Sequence, residues 1–373
     1  MNDKKTLHVI AFNIPYPPNY GGVIDVYYKL EALAESGLDI ILHTFSYGRE
    51  KSEELEHLCK EVHYYQRKSG LQYFFTSLPY IVSTRCSAKL TKNLLSDSFP
   101  VLFEGLHSTC ALTDCKKAGK LTLVRTHNIE HRYYSMLANS ERNIFRKIYL
   151  KSEARKLEKY EAILAEADEL LSISTTDAAY FKENFGKSNF VSAFHHYKDI
   201  EIASGSGDYI LFHGNLSVPE NERAILYLIS KVLSKITFRV VIAGKDPGRH
   251  LKSICNKYPH IELKANVSNE EMNTLIRDAH INLLYTYQPT GLKLKLLHSL
   301  YAGRFCLTNL LMLSGSGLDD LCHIYSSPDQ AIKMINSLMR ENFPKMLIKE
   351  RATQLSAFNN TENAEKIVSL LTS

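Results

Sequence analysis

The sequence QPTGLKLKLLHSLYAGRFCLTN, residues 288–309, predicts a turn that contains glycine, a short amphipathic helix and then a buried strand. With about 100° of rotation per helical residue, Gly291, Lys295 and His298 fall on one stripe, and the leucines gather on the opposite side. N–H groups in the first turn of a helix have no partner inside the helix, so they favour an anion. We therefore expect a helix start and a phosphate site at Thr290 and Gly291, faced by Lys295. The alternative is an ordinary core helix whose lysines are solvated.

The same order of a short apolar run and an amphipathic helix recurs along the chain. The apolar runs predict strands at 7–12, 39–45, 61–65, 101–103, 121–125, 169–174, 209–213, 239–243, 260–263, 281–285, 305–308 and 323–325. This alternation is typical of parallel βαβ units. We expect an α/β protein of two doubly wound, parallel-sheet, Rossmann-like domains, residues 1–200 and 208–343, that face a central cleft. Gly-Ser-Gly at 205–207 predicts a linker, and helices are expected within 344–373.

Length and composition fit a folded protein of two domains. A single core rarely supports 373 residues, and 45% hydrophobic with 23% charged residues is typical of globular chains. The net charge of +5 is mild, and no zinc-ligand spacing or nucleic-acid motif occurs, so we expect no nucleic-acid partner. No apolar run approaches the roughly 20 residues that cross a bilayer, which predicts a cytoplasmic protein.

The cysteines predict free thiols. There are seven, an odd number, and no two of them form a CxxC pair. Such a set fits mostly buried, reduced cysteines in a reducing compartment.

Four sequence blocks resemble the retaining glycosyltransferases of family 4, a group with the GT-B fold. In chain order they are PYPPNYGG at 15–22, RTHNIE at 125–130, FHGNL with PEN within 212–221, and the stretch 288–309. The resemblance implies a metal-independent, retaining hexosyltransferase that needs no cofactor and takes a UDP- or GDP-linked sugar as donor. It further implies a glycan or lipid-linked glycan acceptor, a role in bacterial surface-polysaccharide synthesis, and a last helix that crosses back to the first domain.

In the first domain the candidate site residues directly follow strands, where doubly wound sheets bind their ligands. Gly21 and Gly22 close the loop after the first strand, and they allow the backbone to approach a phosphate or sugar. A rigid surface loop is the alternative. His127 and Asn128 follow a later strand, and the resemblance implies that His127 contacts the transferred sugar or the reaction centre. The alternative for His127 is a structural hydrogen bond.

Glu104 and His107 close another predicted strand. A carboxylate beside an imidazole is suited to orienting an acceptor hydroxyl or moving its proton. We therefore treat Glu104, His107 and Asn128 as acceptor-side candidates, with Glu130 and His131 as weaker ones. Alternatively, Glu104 caps the following helix and His107 is exposed.

In the second domain the chain departs from the family's donor-binding pattern. Gly214 and Asn215 follow a predicted strand, and family members usually place an arginine and a lysine in this region to hold the donor diphosphate. Here the chain has Asn215 and the turn Pro219-Glu220-Asn221 instead. Gly214 and Asn215 are kept as donor-binding candidates.

The family's two glutamates, separated by seven residues, are replaced by Thr290 and His298. An imidazole can pair with a hydroxyl, so we expect His298 to contact the ribose in place of the second glutamate. Lys295 then supplies the positive charge opposite the phosphates.

The stretch RNIFRKIYLKSEARKLEK, residues 142–159, interleaves apolar and basic side chains. A helix of this kind can lie on an anionic membrane, which would attach the protein peripherally to the inner face of the cytoplasmic membrane. The alternative is a solvated helix with charge pairs to Glu153, Glu158 and Glu161.

Two other functions remain open at this point. A nucleotide-sugar epimerase can share the two-sheet architecture, and it would need carboxylate acid/base partners such as Glu104, Glu130 or Asp246. A noncatalytic relative that binds nucleotides or sugars would explain the replaced donor-binding residues.

Overall fold

Strands alternate with helices throughout the part of the chain that this computed structural model describes, residues 5–141 and 143–371. Unit 1 contains the chain up to His196 and again from Ala357 onward, and unit 2 runs over Tyr197–Ser356. Each unit has one sheet, and its strands are parallel. The predicted α/β class with two doubly wound parallel sheets is confirmed.

The strands of unit 1 are Thr6–Ala11 (β1), Asp39–Ser46 (β2), Glu61–Gln66 (β3), Val101–Glu104 (β4), Thr122–Thr126 (β5), Glu169–Ser172 (β6) and Asn189–Phe190 (β7). Its helices before β7 are Gly21–Glu35 (α1), Glu53–Leu58 (α2), Tyr80–Ser83 (α3), Ala88–Leu94 (α4), Leu112–Lys117 (α5), Glu130–Ser140 (α6), Ile144–Tyr160 (α7) and Thr175–Phe185 (α8). Short 3₁₀ helices cover Leu71–Phe75, Leu106–Ala111 and Glu161–Glu166. The sheet order is β3-β2-β1-β4-β5-β6-β7, so the strand succession reverses between β1 and β4.

The sheet of unit 1 has a core on each face. Leu7 and Val9 of β1 pack with Leu30 of α1 in one core, whereas Ile10 packs with Phe103 of β4 in the other. Neighbouring side chains of a strand point to opposite faces, so a strand that is covered on both sides reads as a continuous apolar run. That is why the buried strands were visible in the sequence.

Unit 2 has the strands Tyr209–Asn215 (β8), Arg239–Lys245 (β9), Ile261–Ala265 (β10), Ile281–Leu283 (β11), Phe305–Thr308 (β12) and His323–Ile324 (β13). Its helices are Pro219–Lys231 (α9), Arg249–Cys255 (α10), Asn269–Asp278 (α11), Leu294–Tyr301 (α12), Leu310–Leu313 (α13), Pro328–Leu338 (α14) and Lys345–Gln354 (α15). The strand order is β10-β9-β8-β11-β12-β13, which reverses between β8 and β11. Ile225 and Leu228 of α9 pack on Ile210 and Phe212, alternate residues of β8.

The last helix, Asn360–Leu370 (α16), belongs to unit 1. Its buried residues Ala364 and Ile367 join the core that Leu30 of α1 lines. Asn363 Oδ1 also accepts a hydrogen bond of 3.3 Å from the Ser192 backbone N–H. A helix from the end of the chain is thereby fixed to the first sheet's own core.

The stretch 288–309 folds differently from the prediction at its start. Helix α12 begins at Leu294, not at Thr290 or Gly291. Gly291 has a φ of 65°, the left-handed conformation, which an α-helix does not accommodate. Lys293 Nζ donates to the carbonyl oxygens of Thr290 and Gly291 at 2.6 and 2.9 Å, which holds this segment as a loop. The predicted helix start at Thr290 and Gly291 is therefore wrong, whereas the phosphate contact predicted for these two residues stays a prediction.

Two further expectations are corrected. The glycine-containing segment 205–207 makes ordered contacts in unit 2, since Gly205 and Phe343 exchange backbone hydrogen bonds of 3.1 and 2.9 Å. Cys86 and Cys110 form a disulfide with a Cα–Cα distance of 5.4 Å, so these two thiols are not free. Because 24 positions separate them, no short sequence motif announces the pair. The remaining five cysteines are reduced, and four of them are buried.

Candidate functional site

In unit 1 the carboxyl ends of β1 and β4 meet where the strand order reverses, the point at which open α/β sheets bind ligands. Gly21 and Gly22 begin α1 directly after the β1 loop. The cap residue Tyr20 makes no side-chain hydrogen bond to the helix, and no acidic residue occupies the first turn. The first-turn N–H groups therefore face this edge without a capping side chain, as an anion site requires. A Cβ at Gly22 would lie 2.7 Å from Phe12 Cζ, so a larger residue there would require the Phe12 ring to move.

A buried network of charged side chains lies at the same edge. Lys29 Nζ donates to Asp25 Oδ2 at 2.9 Å and to the two oxygens of Glu104 at 2.8 and 2.9 Å. Arg125 Nη2 donates to Asp25 Oδ1 at 3.0 Å. His127 Nε2 lies 3.0 Å from Glu104 Oε2. The two cations, Lys29 and Arg125, balance the two carboxylates, Asp25 and Glu104. The imidazole of His127 contacts this network through Glu104.

The electrostatics of the network keep both acids ionised. Burial alone would raise the pKa of Asp25, but Arg125 and Lys29 hold it far below its ordinary value. Burial likewise opposes the charge on Glu104, and Lys29 and His127 outweigh it, so that its pKa is also lowered. The Glu104 side chain is 0% exposed and that of His127 is 10% exposed. Glu104 thus fixes the ring of His127, which reaches the surface, and it has no surface of its own to offer an acceptor.

Asp25, Glu104 and His127 bring three potential metal ligands within 4.8 Å of one another. The Lys29 ammonium already contacts both carboxylates of this set, at 2.9 and 2.8 Å. A divalent cation would have to share the space with a buried like charge, which is unfavourable. This donor set therefore fits an internal ion pair and does not fit a metal centre.

His107 does not pair with Glu104. Its ring lies 5.4 Å from the ring of Phe12, and its buried Nδ1 has no hydrogen-bond partner among the described residues. Burial is the main cause that holds the pKa of His107 well below its ordinary value, so the ring is neutral. Asn128 is half-buried and hydrogen-bonds to Glu130.

Glu130, the first residue of α6, carries a proton at neutral pH. Its burial, together with the nearby carboxylates of Glu161 and Asp177, raises the pKa of Glu130 to about 8. His131 turns to Glu161 instead, with Nδ1 at 3.2 Å from Glu161 Oε2. A protonated acid beside the carboxyl end of β5 is suited to proton transfer.

In unit 2 the equivalent reversal lies between β8 and β11. Gly214 and Asn215 are the last residues of β8. A Cβ at Gly244 would lie 2.0 Å from Gly214 O, so the two strand ends approach as closely as backbone allows. Asn215 Oδ1 accepts hydrogen bonds from the N–H and hydroxyl of Ser217 at 3.1 and 2.7 Å. The Asn215 side chain therefore closes its own turn.

Lys295, in the first turn of α12, points at this edge. Its Nζ lies 3.2 Å from Asn221 Oδ1, 3.5 Å from the Tyr285 carbonyl oxygen and 5.8 Å from the centre of the Phe212 ring. All three partners are neutral, and no carboxylate of the described residues pairs with this ammonium at salt-bridge distance. Burial lowers the pKa of Lys295, and the negative charge of Glu220 opposes that effect.

Glu220 is occupied by the loop that precedes α12. Its Oε1 accepts hydrogen bonds of 2.8 Å from the Thr286 hydroxyl and from the Tyr287 backbone N–H. The turn Pro219-Glu220-Asn221, where the resemblance leads one to expect basic residues, therefore shapes the surroundings of Lys295. Glu220 holds the loop, and Asn221 holds the ammonium.

The remaining donor-side candidates lie on the same loop and helix. Thr290 Oγ1 is buried without a hydrogen-bond partner among the described residues. His298 follows Lys295 by three residues, and its ring lies 5.7 Å from that of Tyr197. His213, at the end of β8, is kept neutral because burial and then Lys295 lower its pKa to about 3. The structure thus brings Lys295, Thr290 and the β8 end into one unit.

Sequence reasoning missed the ion network of unit 1 and, in unit 2, the roles of Glu220, which holds the loop before α12, and of Asn221, which accepts a hydrogen bond from Lys295. A signal existed for Asp25 and Lys29, since charges four residues apart interrupt the otherwise apolar face of α1. Arg125 is likewise a charge within a buried strand. Charged residues inside a predicted core call for partners, and that reasoning would have linked them.

No known family model matches the sequence. A protein of Klebsiella pneumoniae, described as an uncharacterized 44.6 kDa protein in a cps region, is 28% identical over 330 residues, which cover 83% of this chain and 84% of that protein.

Several solved structures are similar over nearly the whole chain. A trehalose-6-phosphate synthase, OtsA, has a TM-score of 0.69 at 11% identity and covers 99% of both chains. A glycosyltransferase from Rickettsia africae has a TM-score of 0.64 at 12% identity, covering 99% of this chain and 98% of its own. The lipopolysaccharide outer core galactosyltransferase WaaB has a TM-score of 0.62 at 13% identity, covering 97% and 99%. These similarities establish the GT-B fold for this chain.

No helix within residues 5–141 and 143–371 combines the length and apolar character that a membrane span requires.

Proposed function

We propose that this protein is a glycosyltransferase that moves a sugar from a nucleotide diphosphate donor to a glycan or lipid-linked glycan acceptor. The observation that carries the proposal is the Lys295 ammonium, half-buried at the strand reversal of unit 2 with neutral partners only. A partly desolvated ammonium that forms no direct ion pair favours an anionic ligand, and a diphosphate meets that need. Stabilising the departing diphosphate is the main catalytic contribution of such a group.

The other donor contacts are assigned by position. The Thr290 hydroxyl and the backbone at Gly214 and Gly291 border the diphosphate, and His298 contacts the ribose. The donor is a UDP- or GDP-linked hexose, transfer retains the anomeric configuration, and no metal or cofactor takes part. The family 4 resemblance of the four sequence blocks supports these finer assignments.

In unit 1, His127 contacts the transferred sugar. Glu104 and Lys29 hold the imidazole in place, and this buried support keeps the ring from turning. The first-turn N–H groups at Gly21 and Gly22 bind a phosphate or sugar oxygen. Asn128 and His107 are assigned to the acceptor side.

The acceptor pathway is surface-polysaccharide synthesis in a bacterium. Two observations support it: the fold is shared with WaaB, a galactosyltransferase of the lipopolysaccharide outer core, and the Klebsiella relative is encoded in a cps region. Glycans of this kind are commonly built on lipid carriers, so the protein is assigned to the inner face of the cytoplasmic membrane.

The basic helix α7 supplies the membrane contact. Ile144, Phe145 and Ile148 in its first turns are 60%, 80% and 59% exposed, and basic residues lie between them. Arg142, at the start of the predicted stretch, lies outside the described residues. Glu153 is turned inward, where its Oε2 accepts a 2.6 Å hydrogen bond from the Tyr80 backbone N–H. Exposed apolar side chains with surplus positive charge fit an anionic membrane surface.

The neighbouring 3₁₀ helix Leu71–Phe75 extends this surface. Its Leu71 and Phe75 are 75% and 87% exposed. The turn rests on α7, since the ring of Phe74 lies 5.2 Å from that of Tyr149. The start of α7 and this 3₁₀ helix therefore present apolar side chains from one region of unit 1.

The epimerase alternative keeps one supporting observation, the protonated Glu130 in unit 1. The noncatalytic alternative rests on the missing arginine, lysine and glutamates of the family pattern.

A thermal-shift panel with UDP, GDP and their hexose conjugates tests whether the protein binds a nucleotide, because a ligand that binds the folded chain raises its melting temperature. We expect one nucleotide series to stabilise the protein and Lys295→Ala to reduce that shift at the same nucleotide concentration. Absence of any shift with both nucleotides would reject the proposal.

A further inference from the structure

Unit 1 carries a second positively charged group whose charge is not balanced by the chain. Arg85 is 6% exposed, and its guanidinium donates to the carbonyl oxygens of Phe12 and Ile81 at 2.8 and 2.6 Å. Its remaining nitrogen, Nη2, donates to no group of the described residues. No carboxylate within 5–141 and 143–371 forms a salt bridge with Arg85. Arg85 is therefore a buried cation whose hydrogen-bond partners are neutral carbonyl oxygens, so its positive charge is not neutralised by an ion pair.

Arg67 adds a second positive charge beside it. Its Nε donates to the hydroxyl of Thr84, the residue before Arg85, at 3.1 Å. Its guanidinium carbon lies 4.3 Å from the centre of the Tyr47 ring, which aligns the planar group without neutralising it. Burial first, and the charge of Arg67 second, lower the pKa of Arg85 to about 9. The two guanidinium groups therefore repel one another in a partly desolvated place.

His107 completes the group. The disulfide between Cys86 and Cys110 joins the segment of Arg85 to the 3₁₀ helix Leu106–Ala111, which contains His107. Phe12 links them as well, because its carbonyl oxygen accepts from Arg85 and its ring lies 5.4 Å from His107. A neutral imidazole whose buried Nδ1 has no partner among the described residues can donate one more hydrogen bond.

We propose that Arg67, Arg85 and His107 bind a phosphate group carried by the acceptor, as a phosphate or diphosphate ester. Two guanidinium groups match the charge of a phosphate dianion, and guanidinium N–H groups donate charge-assisted hydrogen bonds to phosphate oxygens. The bound anion removes the repulsion between the two arginines and satisfies Arg85 Nη2. The ring of Phe12 also lies 5.7 Å from the ring of His127, so the phosphate binds near the residue assigned to the transferred sugar. That the phosphate belongs to an acceptor rests on the proposed function.

The test measures binding of inorganic pyrophosphate to the full chain by calorimetry. Lys295→Gln is used as the background, which removes the donor-side ammonium from the measurement. We expect pyrophosphate to bind this background, and Arg67→Gln or Arg85→Gln to weaken it at least about tenfold, roughly 1.4 kcal/mol. Arg67 is half-buried and makes fewer buried contacts than Arg85, so it keeps the test decisive if Arg85→Gln fails to fold.

Arg132→Gln is the matched control. Its guanidinium also stacks on a tyrosine, 4.5 Å from the centre of the Tyr180 ring, and the variant should bind pyrophosphate within about twofold of the background. No binding to the Lys295→Gln chain, or equal binding with and without Arg67→Gln, would overturn the assignment. If pyrophosphate binding depends on Arg67 but the protein binds no nucleotide, the phosphate site is supported and the proposed function is refuted.

Competition then separates the two sources of the phosphate. Displacement of pyrophosphate by farnesyl diphosphate assigns the site to a lipid diphosphate, and displacement by a hexose phosphate assigns it to a soluble sugar phosphate. Displacement by neither would overturn its role in acceptor binding.

Discussion

At the residue scale, His127 shows how a side chain at a sheet edge acquires a fixed orientation. Its Nε2 is 3.0 Å from the carboxylate of Glu104, which also accepts a hydrogen bond from Lys29. The ring can therefore stay in place without a bound ligand, which reduces the entropy that a reaction has to overcome.

His127→Ala should reduce kcat at least about tenfold and leave nucleotide affinity nearly unchanged, because an interaction made chiefly in the transition state appears in kcat. The measurement is steady-state release of nucleoside diphosphate, with the nucleotide Kd from calorimetry. His63→Ala is the control, since His63 also pairs with a glutamate, Glu61, at 3.3 Å and has no assigned site role, so it should retain activity. Full turnover in His127→Ala would assign this histidine a structural role.

The two lysines of the 288–309 stretch should behave differently. Lys295→Ala should weaken nucleotide diphosphate binding about tenfold or more, since a charge-assisted contact contributes roughly 1.5–3 kcal/mol. Lys293→Ala removes a side chain that donates to two loop carbonyls, so we expect a smaller loss that comes from a looser loop. The measurement is the Kd of each variant for the nucleotide diphosphate by calorimetry. Equal losses of affinity would show that Lys295 does not contact the diphosphate.

Glu130 should make stability depend on pH. The folded chain keeps this proton up to a pKa of about 8, whereas the ordinary value is 4.5. Between these pH values the folded chain binds a proton that the unfolded chain has released. The free energy of unfolding therefore falls as pH rises, by at most about 1.4 kcal/mol per pH unit.

Glu130→Gln should remove this pH dependence. The free energy of unfolding should therefore fall less between pH 6 and pH 8 in the variant than in the wild-type chain. Urea unfolding at both pH values measures it, and the exposed Glu158→Gln serves as the control. An unchanged slope in Glu130→Gln would show that Glu130 is ionised in the folded chain.

At the element scale, α7 and the 3₁₀ helix Leu71–Phe75 form the surface assigned to the membrane. Replacing Phe75 and Phe145 by serine should reduce binding to phosphatidylglycerol vesicles at least about tenfold, because burial of each large apolar side chain contributes roughly 1.5–3 kcal/mol. Co-sedimentation measures this, with phosphatidylcholine vesicles as the lipid control. Met346→Ser changes another apolar side chain, 73% exposed, in unit 2 and should bind normally. Equal binding of all variants would contradict the assignment.

Elements also show what the sequence could predict. Strands such as β1 and β8 were visible because burial on both faces leaves a mostly apolar run, which His8 interrupts in β1. The two-residue β7 is too short for such a pattern. The start of α12 was misplaced because helical periodicity extends back to Gly291, and the left-handed glycine together with Lys293 overrides it.

The site was predictable only where a residue follows a strand. His127 was proposed because it follows a strand, and Lys295 because it shares a helical stripe with Gly291; both site assignments stay predictions. The support of His127 was not, because Lys29 and Glu104 are 75 positions apart and Asp25 and Arg125 are 100 apart. Partners at such distances are set by sheet order, which periodicity does not reveal.

At the scale of the whole molecule, the GT-B fold supplies two sheets, each with a strand reversal at which polar residues collect. Fold alone does not decide activity, so the central claim rests on the chemistry at those edges. In unit 2 the claim depends on Lys295, which forms no direct ion pair among the described residues, and in unit 1 it depends on His127 and its buried support.

The most direct test follows nucleoside diphosphate release and sugar transfer from UDP- and GDP-hexoses, in the presence of EDTA, with lipid-linked and free glycan acceptors. We expect that one donor is consumed, that NMR of the product shows a retained anomeric configuration, and that Lys295→Ala and His127→Ala each lose at least about nine tenths of the rate. Conversion of the donor to its epimer, or transfer that both variants retain in full, would contradict the central claim.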